Sequence, residues 1–181
     1  MNVSEITKTV IKPALALLPA KMDTPAARVK LPAIGLQESR FLHRRRIGDG
    51  PARGLWQFER GGGVRGVLTH PASREYAYRV CTVQGVGPIA AAVHPALEVD
   101  DVLAASFARL LMWTDARNLP AVGDAKGGWE LYARTWRPGK PHPQTCCNGW
   151  LKCVACRDLL PWTTGRSSPE EPWMPGPTKL A

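Results

Sequence analysis

Apolar residues recur at helical spacing along most of the chain, and patterns typical of strands are scarce. The clearest helix covers residues 99–113, and its apolar stripe consists of Val102, Leu103, Ser106, Phe107, Leu110 and Leu111. Asp100 and Asp101 favour the start of this helix because acidic side chains complement a helix N-terminus. The pattern therefore predicts a mainly α protein.

Prolines and glycines divide the remaining helical stretches. Residues 4–19 have helical spacing, but Pro13 favours two short helices there. Residues 24–41 form a second stretch, in which Pro32 is expected to limit the helix start. After it, residues 61–63 are predicted to be a flexible glycine turn, and residues 64–83 are weakly helical up to a break at 85–88.

Three aromatic residues share one face of a short helix predicted at residues 128–136. Trp129, Tyr132 and Trp136 stand at positions i, i+3 and i+7. Core packing is the favoured interpretation because it requires this spacing, and stacking on sugar rings is the alternative. The helix should end at the Arg-Pro-Gly sequence of residues 137–139.

Length and composition suit one domain with a tail. The chain has 181 residues, 44% of them hydrophobic, which predicts a single domain over residues 1–145. Residues 146–181 are rich in Cys and Pro and are predicted to be irregular and partly disordered. No apolar stretch approaches the roughly 20 residues that cross a bilayer. The apolar run at 14–20 is too short for a clear signal peptide.

The net charge of +9 indicates a polyanionic partner without naming it. Nucleic acid, an anionic membrane and the bacterial envelope would each attract a chain in which 24 Lys and Arg outnumber 15 Asp and Glu. Charge alone leaves these partners open, so the choice among them depends on the motifs.

Two short motifs stand close together in the first half of the chain. Residues 38–41 read Glu-Ser-Arg-Phe, and residues 54–57 read Gly-Leu-Trp-Gln after Ala52. In order and spacing this pair resembles the signature of the lysozyme superfamily, specifically the soluble lytic transglycosylases and goose-type lysozymes. Trp56 stands where these families have Met. The resemblance implies a lysozyme-like fold and cleavage of peptidoglycan at the β-1,4 linkage between N-acetylmuramic acid and N-acetylglucosamine.

The resemblance also implies roles for individual residues. Glu38 would be the general acid that protonates the glycosidic oxygen, Ser39 would orient Glu38 or the substrate, and Gln57 and Trp56 would contact the saccharide. A glycosidic oxygen is a poor leaving group, so the acid must keep its proton near neutral pH, and burial among apolar groups raises the pKa of a Glu. No cofactor or metal is expected.

A third motif of these families departs here from its usual form. Their Ala-Tyr-Asn segment corresponds to residues 103–108, where the Asn is missing and Phe107 stands at the expected aromatic position. Phe107 is therefore a candidate substrate-binding residue, and Trp129, Tyr132 and Trp136 are candidates for the far wall of the cleft.

The way in which the reaction finishes stays open at this stage. A hydrolase usually needs a second carboxylate, for which Glu59, Asp115 and Asp124 are candidates, whereas a transglycosylase uses the hydroxymethyl oxygen of the sugar itself. No motif selects one of the three acids.

A phage or prophage endolysin would fit these features. The protein would then be made in the cytoplasm of the infected cell or carried in the virion, and would act on the wall with the help of a holin or of other virion components. The first alternative is a catalytically inactive wall-binding or phage structural protein with the same fold.

The second alternative is a basic nucleic-acid-binding module stabilised by zinc. Its candidate ligands are His142, Cys146, Cys147, Cys153 and Cys156. We expect no zinc site there because the loop between two CxxC knuckles, typical of zinc ribbons, is absent. This alternative also leaves the Glu38 to Gln57 pattern unexplained.

Overall fold

A computed structural model describes residues 1–45, 48 and 50–139, and over these residues the protein is mainly α-helical. Helices α1 to α8 span Val3–Ile6, Lys12–Ala16, Pro25–Ser39, Arg65–Thr69, Arg74–Val83, Ala90–Val99, Asp101–Trp113 and Ala125–Trp136. Two π-helical turns, Thr7–Ile11 and Arg60–Val64, and one 3-10 turn, Ala20–Met22, complete the helical structure. Isolated bridges join Arg45 to Arg53 and Arg53 to Phe58.

Helix α7 is the centre around which the other helices pack. Ten of its 13 residues are buried, and it contacts α2, α3, α4, α5, α6 and α8. The carboxylate of Asp100 accepts a hydrogen bond from the backbone N–H of Leu103 at 2.8 Å, which caps the helix at its N-terminus. The helix predicted from the apolar stripe is thus confirmed, with its start at Asp101.

The N-terminal segment is helical without the interruption that Pro13 favoured. The π-helical turn Thr7–Ile11 leads directly from α1 into α2, where Pro13 occupies the first turn. Proline has no N–H to donate to a preceding carbonyl, and the π-helical turn directly before Pro13 is the local departure from α-helical geometry at this point. The prediction that Pro13 separates two helices was therefore wrong, because the helical structure continues through this residue.

Helix α3 begins at Pro25, so the prediction that Pro32 limits its start was wrong. The side chain of Thr24 accepts a hydrogen bond from the N–H of Ala27 at 3.1 Å and caps the helix. Pro32 lies inside the helix and is buried. Packing of this face in the core outweighs the hydrogen bond that the proline removes.

The glycines at 61–63 do not form the flexible turn expected of them. They belong to the π-helical turn Arg60–Val64, which continues into α4. The weak helical pattern of residues 64–83 corresponds to α4 and α5. The pattern did not predict α6, which contains Pro95 and buries only Val93 and Leu97.

Helix α8 contains the predicted helix 128–136 and starts three residues earlier. Asp124 caps it by accepting a hydrogen bond from Gly127 at 2.8 Å. Among the helices that the structure describes, none has the length and apolar character needed to span a membrane. The predictions for the tail at 146–181, including its cysteines, lie outside the described residues.

Candidate active site

Glu38 lies in the last turn of α3, directly before the chain turns away from the helix. Arg40 ends α3 in the left-handed conformation, with a φ of 53°, and Phe41 follows with a φ of 55°. Two successive non-glycine residues in this region are uncommon and are held by the surrounding packing. Phe41 is buried and packs edge-on against Trp56, with ring centroids 6.1 Å apart. The position of Glu38 therefore depends on a firmly packed helix end.

Ser39 joins this helix end to the second motif. Its buried hydroxyl donates to the backbone oxygen of Leu55 at 2.7 Å and accepts from the N–H of Phe41 at 3.1 Å. A further contact joins the hydroxyl to the carbonyl of Gly35 at 3.2 Å. Ser39 is 5% exposed, and its hydrogen bonds hold the end of α3 to the second motif, which fits the predicted orientation of Glu38 better than a contact with substrate.

The second motif is a tight turn that needs its glycine. Gly54 has a φ of +75°, and a Cβ at this position would meet the carbonyl oxygen of Leu97. Gln57 also has a positive φ, of 49°. The side-chain amide of Gln57 donates to the carbonyls of Gly54 at 2.9 Å and His43 at 3.2 Å, which holds this backbone conformation. Gln57 also lines an open cleft, and its predicted contact with a saccharide stays a prediction.

Trp56 and Phe107 are core residues, so neither makes the contact with sugar expected of it. Both are 0% exposed. The Trp56 indole N–H donates to the carbonyl of Leu31 at 2.9 Å, and Phe107 packs edge-on against Phe58. Burial of these large rings contributes to the packing behind the site, since aromatic residues bury much apolar area.

Tyr132 approaches Glu38 from α8. Its hydroxyl donates a hydrogen bond to Oε1 of Glu38 at 2.6 Å. The Tyr132 ring lies between two indoles, with centroids 5.3 Å from Trp129 and 6.3 Å from Trp136. The Trp136 indole N–H donates to the backbone oxygen of Trp56 at 3.0 Å, which fastens α8 to the second motif. The aromatic stripe thus both packs the core and supplies the hydroxyl that binds Glu38.

These residues border an open cleft of about 1490 Å³. Glu38, Gln57, Tyr132 and Trp136 lie along its wall, whereas Trp129 does not line it. The rest of the lining comes mainly from the π-helical turn Arg60–Val64, from α4 and from the residues that follow α4 and α8, and includes Gly61, Gly62, Gly63, Arg65, His70 and Arg137. The cleft is open to solvent, and about half of its lining residues have polar or charged side chains.

The three candidate second carboxylates have different surroundings. Glu59 is exposed and lines the cleft. Asp115 also lines the cleft, but its Oδ2 accepts hydrogen bonds from Nη2 of Arg134 at 2.7 Å and from Nε at 3.1 Å. Asp124 caps α8 and is not among the lining residues. Of the three acids, Glu59 is the one that both lines the cleft and is exposed.

Sequence reasoning missed the pairing of Tyr132 with Glu38 and the wall formed by residues 61–70. Tyr132 was a candidate because of its aromatic ring, and nothing local marks its hydroxyl as a partner of an acid 94 positions away. Gly63 had no usable local signal either, because three consecutive glycines are typical of a flexible turn. A Cβ on Gly63 would lie 2.7 Å from Cδ1 of Phe58.

Comparison with known proteins identifies no relative of the chain. No family model, no curated protein and no solved structure matches the chain. The class that the geometry itself defines is a mainly α protein with an open polar cleft and a carboxylate held by a tyrosine at its wall.

Proposed function

We propose that the protein cleaves the glycan strands of bacterial peptidoglycan, with Glu38 as the general acid. The observation that carries this proposal is the half-buried carboxylate of Glu38 at the wall of an open cleft, bound by the Tyr132 hydroxyl at 2.6 Å. The resemblance of residues 38–41 and 54–57 to the lytic transglycosylases and goose-type lysozymes supports the same reaction. The two motifs meet through the hydrogen bond from Ser39 to Leu55.

The proposed step is a proton transfer to the glycosidic oxygen. The acid form of Glu38 supplies the proton, and the Tyr132 hydroxyl, which contacts Oε1, orients the carboxyl group. Transfer of this proton to the glycosidic oxygen lets the bond from C1 of the N-acetylmuramic acid break with its electron pair on the departing sugar. The positive charge that develops at C1 is then quenched by an oxygen nucleophile, and Glu38 accepts a proton as that nucleophile attacks.

The nucleophile decides between the two reaction types. Attack by water gives a lysozyme and needs a carboxylate near the opposite face of the sugar, for which Glu59 is the candidate on the cleft wall. Attack by the sugar's own C6 hydroxyl gives a 1,6-anhydro product and needs no second carboxylate. Asp115 is the weaker candidate because its charge is balanced by Arg134.

Contacts with the sugar would come from Gln57 and Trp136. Both line the cleft near Glu38, and an indole face offers an apolar platform for a sugar ring. Cationic Arg65 and Arg137 on the same lining would attract the anionic wall. Action on the wall with a holin or within a phage particle remains part of the proposal.

The experiment compares purified wild type with Glu38→Gln and Glu130→Gln on dye-labelled peptidoglycan. Glu130 is an exposed acid on α8 that does not line the cleft, so it is the matched control for the loss of one carboxylate. We expect Glu38→Gln to release at least about a hundredfold less dye, in line with the loss of a general acid. Glu130→Gln should act like wild type.

A binding measurement with the same variants separates catalysis from wall binding. We expect Glu38→Gln to sediment with peptidoglycan as wild type does. Wall binding by wild type without any dye release would overturn the enzymatic function and favour the inactive wall-binding protein. If wild type neither binds peptidoglycan nor releases dye, both the enzymatic function and the wall-binding function are overturned.

A further inference from the structure

A second cavity lies next to the cleft. It has a volume of about 600 Å³ and shares Asp115 and Ala116 with the cleft wall. Its remaining lining is different and contains three cationic side chains, those of Lys21, Arg109 and Arg117. This cationic cavity is therefore adjacent to the cleft but has a chemistry of its own.

Arg109 is the buried member of the cationic cavity. The side chain is 1% exposed, and its Nε donates to the backbone oxygen of Met22 at 2.8 Å. Its Nη1 is buried and has no hydrogen-bond partner among the residues that the structure describes. Burial lowers the pKa of Arg109 to about 10, an effect that the nearby charge of Asp23 partly offsets. A buried guanidinium with an unused donor is costly, and an oxyanion would satisfy it.

The acids around the cationic cavity are engaged by other arginines. Asp23 binds Arg28 through both carboxylate oxygens, at 2.6 and 2.7 Å. Asp115 binds Arg134, which lines the cleft and not this cavity. Both acids are therefore paired with arginines that do not line the cavity, and the three cations of its lining outnumber its one acid, Asp115.

The remaining lining fits a bound oxyanion. Lys21 and Arg109 both lie over the Trp113 ring, with their charged groups 5.4 and 5.1 Å from its centroid, so the same indole positions both cations. The hydroxyl of Thr24 and the amide of Asn118 add neutral donors to the lining. This set of donors exceeds what the two oxygens of a carboxylate can accept.

We propose that the cationic cavity binds a phosphate group, with Arg109 at its buried end and the exposed Lys21 and Arg117 at its entrance. The three or four oxygens of phosphate match the number of donors, and an arginine fork suits them. A free phosphate ion and the phosphodiester of a wall-linked polymer carry the same group. Phosphate binding here requires neither Glu38 nor turnover, so it is independent of the proposed function.

The experiment titrates the full chain with inorganic phosphate by calorimetry, with sodium chloride keeping the ionic strength constant. The cavity variant combines Lys21→Gln with Arg117→Gln, and the control variant combines Lys8→Gln with Arg79→Gln. All four residues are exposed, and both variants remove two positive charges while leaving Arg109 in place. We expect saturable binding by wild type and the control, and affinity lower by about tenfold or more in the cavity variant.

Two further arms identify the source of the phosphate and its specificity. Tighter binding of poly(glycerol phosphate) than of inorganic phosphate would point to a wall polymer, and tighter binding of the ion would point to free phosphate. Absence of saturable phosphate binding, equal affinity in the cavity and control variants, or equally tight binding of acetate would each overturn the proposal. Glu38→Gln should bind phosphate as wild type does, so failure of this proposal and failure of wall cleavage are distinguishable.

Discussion

The Tyr132 hydroxyl and the Glu38 carboxylate lie 2.6 Å apart although 94 positions separate them in the chain. This contact joins the end of α3 to the middle of α8 across the cleft wall. The ring of Tyr132 is fixed by Trp129 and Trp136, so the hydroxyl has little freedom to leave Glu38. Glu38 is therefore oriented by a residue that is itself held by the core.

Tyr132→Phe tests that orientation. The substitution keeps the ring and removes the donor, so we expect cleavage of peptidoglycan to fall by about tenfold and the free energy of unfolding to fall by about 1–2 kcal/mol. Steady-state dye release and thermal unfolding measure the two effects. Tyr78→Phe, at an exposed position on α5, is the control. Wild-type activity in Tyr132→Phe would contradict a positioning role.

Ser39→Ala separates positioning from substrate binding. Its buried hydroxyl bonds Leu55 and Phe41, so we expect the free energy of unfolding to fall by about 1–3 kcal/mol. Urea unfolding monitored by circular dichroism gives this value, with exposed Ser4→Ala expected to change it little. A stable Ser39→Ala protein whose KM alone rises would instead support the role implied by the resemblance.

Gly63 and Gly61 form a matched pair in the cleft wall. A Cβ on Gly63 would lie 2.7 Å from Cδ1 and 3.0 Å from Cε1 of buried Phe58, whereas one on Gly61 meets no atom within 4 Å. We expect Gly63→Ala to destabilise the fold by about 1–3 kcal/mol. Gly61→Ala should be neutral or stabilising by up to about 1 kcal/mol. Equal melting temperatures for the two variants would show that the π-helical turn Arg60–Val64 does not pack against Phe58 as described.

Cys81 should resist alkylation in the native protein. It is 0% exposed, and burial raises the pKa of its thiol to about 11. At pH 8 only about one thiol in a thousand would then be ionised, and the fraction should rise with pH toward 11. Iodoacetamide labelling of the peptide containing Cys81, followed by mass spectrometry, is expected to be far slower in buffer than in urea. Similar rates in both solvents would mean that Cys81 is accessible.

Local patterns predicted much of the helical structure. Helix α7 was evident because one apolar stripe and an acidic N-terminus coincide in it, and the acid Glu38 was singled out by two motifs that lie close in sequence. The packing of Pro32 inside α3 and of Gly63 against Phe58 was not predictable in this way. Both depend on tertiary contacts that outweigh the local preferences of proline and glycine.

The candidate site was predictable where a side chain acts near its own motif. Glu38 and Gln57 line the cleft, whereas Trp56 and Phe107 are in the core. Periodicity shows that a residue faces inward or outward on a helix, and it does not show whether an inward face borders a cleft. The hydroxyl of Tyr132 needed the three-dimensional arrangement for the same reason.

Digestion of purified peptidoglycan, with the released muropeptides weighed by mass spectrometry, tests the central claim most directly. We expect wild type to release fragments cut at N-acetylmuramic acid and Glu38→Gln to release none. Fragments heavier by one water identify a lysozyme, and fragments ending in a 1,6-anhydro sugar identify a transglycosylase. The same fragments from Glu38→Gln, or no fragments from wild type, would contradict the assignment of Glu38 as the catalytic acid.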